Sequence, residues 1–120
     1  MMYRVRILST LVVALVFGSG AAPAGARYYV DGTVLGGLMA EYEKFRDGDK
    51  SADAELAGKY IGYIQGVTDV YDYKVCVPNG TKAADLADTV TRYLKAHRNK
   101  WYRPALTLVY ASIQEAYPCP

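Results

Sequence analysis

Two aspartates, Asp69 and Asp72, come nearest in this sequence to a pair of residues that could do chemistry. Residues three apart are neighbours on a helix, so the two carboxylates could share a proton or hold a cation. The segment around them contains no histidine and no Ser/His arrangement that would complete a catalytic site. We therefore expect two solvated carboxylates, and we expect that the protein is not an enzyme.

A second group of polar residues occupies alternate positions, as in the start of a calcium-binding loop: Asp47, Asp49, Ser51 and Asp53. That motif requires glycine at its sixth position and glutamate at its twelfth. Here those positions hold Ala52 and Gly58, so the match fails. The sequence therefore predicts a polar turn between helices, with no metal and no other cofactor.

The N-terminus has the order of a secretory signal peptide. Two arginines precede an apolar stretch over residues 7–17, and an Ala-Gly-Ala sequence follows at residues 24–26. The apolar stretch is shorter than the roughly 20 residues that cross a bilayer. We predict a cleaved signal peptide over residues 1–26 and one mature domain over residues 27–120, exported and not anchored in a membrane.

The charge of the mature domain argues against nucleic acid and anionic membranes as partners. The full chain has 14 basic and 12 acidic residues. The predicted signal peptide removes Arg4 and Arg6, which leaves 12 basic residues against the same 12 acidic ones. These charges are interspersed, whereas nucleic-acid or membrane-surface binding requires a basic patch.

Two cysteines, Cys76 and Cys119, remain in the mature domain. Cysteines of exported proteins usually pair, and a bridge of this length is expected to stabilise the fold by roughly 4 kcal/mol. A metal site is the alternative, but the sequence has no C-x-x-C spacing and only His97 could join the cysteines. We predict a disulfide, and we expect the lone His97 to cap or pack the end of a helix.

Apolar residues recur at helical spacing in four runs, separated by turn signals such as Asn79-Gly80. No stretch alternates with period two for long enough to predict a strand. The sequence therefore predicts an all-α fold, a compact bundle of about four helices with one disulfide. The four runs extend over Val34 to Phe45, Ala57 to Tyr71, Leu86 to His97 and Leu106 to Tyr117.

Polar residues at the helix ends and on the outer faces suggest local contacts. Ser51 or Asp53 is expected to cap the second helix, and Thr81 is expected to accept from the free amides of the third. Asp88 and Arg92 are four residues apart, so we expect them to pair on the outer face of the third helix.

Three glycines, Gly58, Gly62 and Gly66, lie four residues apart and share one stripe of the second helix. Each costs about 1 kcal/mol relative to alanine inside a helix, so three in register suggest a purpose. Glycine allows close approach of another backbone or an aromatic ring. We interpret the stripe as tight helix packing within the fold, with a homodimer interface as the alternative.

Four segments, in this order, resemble the signatures of the Rap/Tai family of immunity proteins: Gly62–Asp69, Cys76–Pro78, Tyr93–His97 and Ala116–Cys119. The order and spacing match over nearly the whole mature domain. The resemblance implies a periplasmic, all-helical protein that binds and blocks a peptidoglycan amidase toxin delivered by type VI secretion. It also implies that Cys76 and Cys119 form the disulfide of the family.

The chain departs from the family pattern in two places. Many relatives have a second cysteine pair, and the corresponding regions here read Leu35-Gly36-Gly37-Leu38 and Lys59-Tyr60-Ile61. The second bridge is therefore absent. Arg98 stands where a proline commonly follows the histidine.

Two connections between predicted helices are the expected partner-binding surface, because binding residues concentrate on loops held by a rigid scaffold. The first is the turn Pro78-Asn79-Gly80, and the second is Trp101-Tyr102-Arg103, whose residue types are enriched in binding hot spots. The alternative for the second connection is a packed interhelical loop.

The sequence and its resemblance to the immunity proteins lead to two hypotheses about function. The first is a periplasmic inhibitor that inserts a loop or a helix end into the cleft of a cell-wall-degrading effector. The second is a small periplasmic stress chaperone that unfolds at acidic pH as its carboxylates become protonated.

Overall fold

Four α-helices form most of residues 30–120, the part of the chain that the computed structural model describes. They are α1 (Gly32–Arg46), α2 (Ala54–Val70), α3 (Ala83–Ala96) and α4 (Ala105–Ala116), and short 3₁₀ turns follow α2 at Asp72–Lys74 and α3 at Arg98–Lys100. The predicted all-α bundle is confirmed. The predicted signal peptide lies outside the described residues. No helix within residues 30–120 is long and apolar enough to cross a membrane.

Aspartate side chains cap the N-termini of the first two helices. Asp31 Oδ1 accepts from the backbone nitrogen of Val34 at 3.0 Å, and Asp53 Oδ1 accepts from Leu56 at 3.1 Å. The expected cap Asp53 is thus confirmed. The expected cap Thr81 is wrong, because α3 begins later, after Lys82, and the Thr81 hydroxyl instead donates to the carbonyl oxygen of Pro78 at 2.7 Å.

The core lies between the four helices and is mainly aliphatic. Its fully buried side chains include Leu35, Tyr60, Ile64, Leu94, Leu108 and Ile113. Three residues at the ends of the predicted apolar runs are not buried: Val34 and Phe45 are each 53% exposed, and Leu106 is 37% exposed. In α4 the core-facing stripe includes the small residues Ala105 and Ser112, so the buried face is rotated away from Leu106.

Polar contacts join α1 to α3. The Tyr42 hydroxyl donates to Asp88 Oδ1 at 2.8 Å, and Arg46 Nη1 donates to the same oxygen at 3.0 Å. The predicted pair of Asp88 with Arg92 is therefore wrong, because α1 lies beside this face of α3 and supplies both partners of Asp88. Burial, together with the hydrogen bond to Asp88, raises the pKa of Tyr42 to about 12.

The predicted disulfide between Cys76 and Cys119 is confirmed. It joins two positions separated by 43 residues, and the backbone nitrogen of Cys76 also donates to the carbonyl oxygen of Tyr117 at 3.0 Å. The bridge thus ties the segment after α2 to the end of the chain after α4. Neither cysteine of the described residues is free.

Candidate partner-binding surface

The predicted turn Pro78-Asn79-Gly80 is exposed and lies between the 3₁₀ turn after α2 and the start of α3. Gly80 has φ 84°, a left-handed conformation that favours glycine, and the backbone nitrogen of Thr81 donates to the carbonyl oxygen of Pro78 at 3.2 Å. The turn forms one wall of a polar groove of about 310 Å³. The groove places these predicted residues on an accessible surface.

Asp69 and Asp72, both exposed, also line this groove. The two aspartates that stand out in the sequence thus lie beside the predicted turn. His97 is not with them, because it caps the end of α3, where its ring stacks on Tyr93 at a centroid distance of 4.0 Å. Within residues 30–120, no group of three or more His, Cys, Asp or Glu residues is arranged to hold a metal ion.

Trp101, the first residue of the second predicted connection, is packed into the fold. Its Nε1 donates to the backbone carbonyl of Leu94 at 2.9 Å, and its ring lies against Gly36 of α1. A Cβ atom at Gly36 would overlap the ring, and one at Gly32 would lie 2.6 Å from Trp101 Cα. Trp101 therefore packs as the alternative of a packed interhelical loop expects, but its side chain is only partly buried, so the partner contact at Trp101 stays a prediction.

Tyr102 and Arg103 lie on the surface, unlike their neighbour. Tyr102 is 68% exposed, and Arg103 Nε donates to the Tyr102 hydroxyl at 3.3 Å. The backbone beneath them is fixed, because the carbonyl oxygen of Arg103 accepts from Gly32 at 2.9 Å and Ala105 donates to Val30 at 2.7 Å. The packed Trp101 and these hydrogen bonds hold Tyr102 and Arg103 on a rigid support.

The glycine stripe of α2 does not pack within the fold, so the favoured interpretation was wrong. Gly58, Gly62 and Gly66 are exposed, and apart from their chain neighbours and the backbone of their own helix no described atom lies within 4 Å of a Cβ built at any of them. The reason is that the opposite face of α2, with Tyr60 and Ile64, provides the contacts with the core. The stripe instead forms an open helix surface.

Apolar side chains border this open surface. Val70 continues the four-residue spacing after Gly66 and is 64% exposed, and Leu106 of α4 and Tyr63 lie beside the glycines in a shallow depression of about 250 Å³. Val70 and Leu106 were not predicted to belong to this surface. The spacing of Val70 was a signal for its membership of the stripe, whereas no local pattern places Leu106 next to α2.

The glycines that do pack against an aromatic ring are Gly32 and Gly36 in α1. They have the same spacing of four residues as the stripe in α2, but their aromatic partner is Trp101, 65 or more positions later in the chain. Spacing alone therefore identifies helix faces that a neighbour can approach closely. It does not identify which face has such a neighbour.

One family of known proteins matches this chain. The family model of the Rap1a immunity proteins matches residues 32–119, which is the region from the start of α1 to the second cysteine of the disulfide. No curated protein matches the chain significantly. The matched region contains all four helices and both predicted connections.

Proposed function

Because the chain belongs to the family of Rap1a immunity proteins, we propose that it binds and inhibits a peptidoglycan amidase effector of type VI secretion. The family match over residues 32–119 carries this proposal. The amidase target follows from the resemblance of the glycine-rich and Pro-Cys signatures. The protein acts in the periplasm after removal of residues 1–26, where the disulfide is stable.

The effector-contacting surface in this proposal includes Tyr102 and Arg103. Two observations support them: both side chains are exposed, and the connection that carries them is hydrogen bonded to the start of α1. A preorganised loop loses little conformational entropy on binding, and tyrosine and arginine are among the residue types enriched in binding hot spots. Such a loop blocks a catalytic cleft by occupying it, so inhibition requires no chemistry from this chain.

The turn Pro78-Asn79-Gly80 is the second proposed contact. Its groove is also lined by the exposed carboxylates of Asp69 and Asp72. A basic region on the effector would therefore be complementary to this groove, and opposite charges across an interface accelerate association.

The open face of α2 is proposed as a homodimer interface. The three exposed glycines allow a second backbone to approach, and the neighbouring apolar side chains Val70 and Leu106 lose contact with water on association. Sedimentation of the wild-type protein and of Gly62→Glu tests this. We expect a dimer that the substitution dissociates, and a wild-type monomer at high concentration would contradict the proposal.

Binding and inhibition are tested with purified proteins. The oxidised protein is mixed with peptidoglycan amidase effectors encoded beside it or in competing strains, and complex formation and cleavage of peptidoglycan are measured. We expect a stable complex in which cleavage stops at equimolar inhibitor. If no effector is bound but aggregation of unfolded clients is suppressed at acidic pH, the chaperone function replaces this proposal.

A further inference from the structure

A cleft between α3 and α4 contains a buried hydroxyl group without a hydrogen-bond partner. Ser112 is 2% exposed, and no group within residues 30–120 is hydrogen bonded to its Oγ. The buried Thr91 and Thr89 of α3 instead donate to carbonyls one turn earlier, each at 2.8 Å. Buried polar groups are almost always paired, so the unpaired hydroxyl of Ser112, a residue that lines this cleft, points to a ligand.

Opposite charges stand on the two sides of the cleft. Arg92 comes from α3 and Glu115 from α4, and both line the cleft. Arg92 Nη2 donates to Thr89 Oγ1 at 3.3 Å, which holds the guanidinium along α3. In the part of the chain that the structure describes, neither charge takes part in an ion pair, although residues elsewhere on the surface do so. Both side chains are exposed to solvent, so two charges of opposite sign are available to one ligand.

The remaining walls are mainly apolar. The stacked rings of Tyr93 and His97 form one side, and Ala96 and Ala116 lie near the charges. The cleft volume is about 280 Å³. Pockets for drug-sized ligands begin at about 300 Å³, so this cleft suits a ligand somewhat smaller than a drug.

We propose that the α3–α4 cleft binds the zwitterionic head of an α-amino acid. The ligand carboxylate pairs with Arg92, its ammonium group pairs with Glu115, and the Ser112 hydroxyl completes the hydrogen bonding. The apolar walls contact the carbon chain of the ligand. A ligand that carries both groups can pair with both charges, whereas a carboxylate alone or an amine alone can pair with only one of them.

Two kinds of ligand carry such a zwitterionic head. One is a free amino acid, and the other is a peptide whose side chain ends in an α-amino acid, as diaminopimelate does in peptidoglycan. The site is independent of the proposed effector contact, because Tyr102 and Arg103 do not line the cleft. Failure of this proposal therefore leaves the proposed function untouched, and the reverse also holds.

Isothermal titration of the oxidised mature protein tests the site with alanine, free diaminopimelate and a tripeptide that contains diaminopimelate. Acetate and ethylamine serve as ligands with a single charge. We expect saturable binding of the zwitterions and at least tenfold weaker binding of acetate and ethylamine. Binding of free alanine identifies a free amino acid, whereas binding of the tripeptide alone identifies the peptide. No binding of any zwitterion, or equal binding of acetate, overturns the proposal.

Variants assign the binding to the cleft. Arg92→Gln and Glu115→Gln are each expected to weaken zwitterion binding about tenfold or more, because each loses one charge-assisted hydrogen bond. Lys59→Gln is the matched control, since Lys59 is an exposed helical charge outside the cleft, and it is expected to bind as the wild type does. Ser112→Ala is expected to weaken binding while the unliganded protein unfolds at a higher temperature. Unchanged binding in both charge variants overturns the assignment.

Discussion

The ring of Trp101 lies directly against Gly36, in a space that a side chain at that position would fill. This contact joins the connection after α3 to the first helix. Together with the hydrogen bond from the indole to Leu94, it fixes the backbone from which Tyr102 and Arg103 project. The surface proposed to meet the effector is therefore held by a residue that itself does not need to touch the effector.

Substitution of Gly36 is expected to destabilise the fold. In Gly36→Ala the new methyl group overlaps the Trp101 ring, and overpacking of this kind costs about 1–3 kcal/mol. Gly37→Ala is the matched control, because no described atom lies within 4 Å of the new Cβ, and it is expected to stabilise α1 by about 0.5–1 kcal/mol. Urea unfolding of both variants measures the difference. Equal stabilities would contradict the packing of Trp101 on α1.

The exposed glycines of α2 are expected to behave in the opposite way to Gly36. Gly62→Ala and Gly66→Ala add a methyl group to open space on a helix, so each should raise the free energy of unfolding by up to about 1 kcal/mol. The measurement is urea unfolding at a concentration at which the protein is monomeric. A loss of stability in the monomer would show that the stripe packs within the chain after all.

Removal of the disulfide is expected to destabilise the protein strongly. Loss of a bridge across 43 residues should lower the free energy of unfolding by roughly 4 kcal/mol, because the unfolded chain gains conformational freedom. Thermal unfolding of the double variant Cys76→Ser, Cys119→Ser measures this loss. The control is the chemically reduced wild-type protein, which should unfold at a temperature similar to that of the double variant. If both melt at the temperature of the oxidised wild type, the disulfide has no structural role.

Alkaline pH is expected to weaken the contact between α1 and α3. The pKa of Tyr42 is about 12 in the folded protein and 10.0 in the reference state, so the folded state holds the proton more tightly. Its contribution to stability is complete below pH 10 and is lost as the pH rises towards 12. The buried Tyr60, whose pKa is raised by desolvation, acts in the same direction.

Unfolding between pH 9 and pH 12 tests this dependence. Tyr42→Phe should flatten the decline and lower stability at neutral pH, because Asp88 loses a hydrogen bond. Tyr73→Phe is the control, since Tyr73 is 75% exposed. A decline that Tyr42→Phe leaves unchanged would show that other groups cause it.

The helices and the disulfide were predictable because their signals are local or depend on the compartment. Asp53 caps α2, as its residue type suggests. Cys76 and Cys119 form a disulfide, as expected for the two cysteines of an exported protein. The partners across the fold were not predictable. The sequence does not show that α1 lies beside Asp88, so it predicts the nearby Arg92 as the partner of Asp88, whereas the structure has Arg46. It also does not show that the ring of Trp101 meets Gly36.

The candidate surface was predictable only in part, for the same reason. Tyr102, Arg103 and the turn Pro78-Asn79-Gly80 lie on the surface, as residues in connections usually do. Tryptophan is a residue type enriched in hot spots, yet the Trp101 ring packs inside the fold, because Gly36 of α1 leaves space for it. The unpaired hydroxyl of Ser112 depends on how α4 packs on α3, which no local pattern reveals.

The effector surface is tested by substitution of its exposed residues. Tyr102→Ala and Arg103→Glu are each expected to weaken effector binding by about tenfold or more while thermal stability stays unchanged, because both side chains are exposed. Phe45→Ala is the control, as another exposed aromatic residue that lies at the end of α1, outside both connections. Titration of the effector measures the affinities. If both variants bind the effector with wild-type affinity, Tyr102 and Arg103 are not part of the effector contact.

Protection of living cells is the decisive test of the proposed immunity function. A peptidoglycan amidase effector, encoded beside this protein or in a competing strain, is directed to the periplasm with and without the full chain, and lysis is followed by optical density. We predict lysis with the effector alone and normal growth when the protein is present, with loss of protection when residues 1–26 are deleted. Lysis with every such effector, despite a folded and exported protein, would contradict the account.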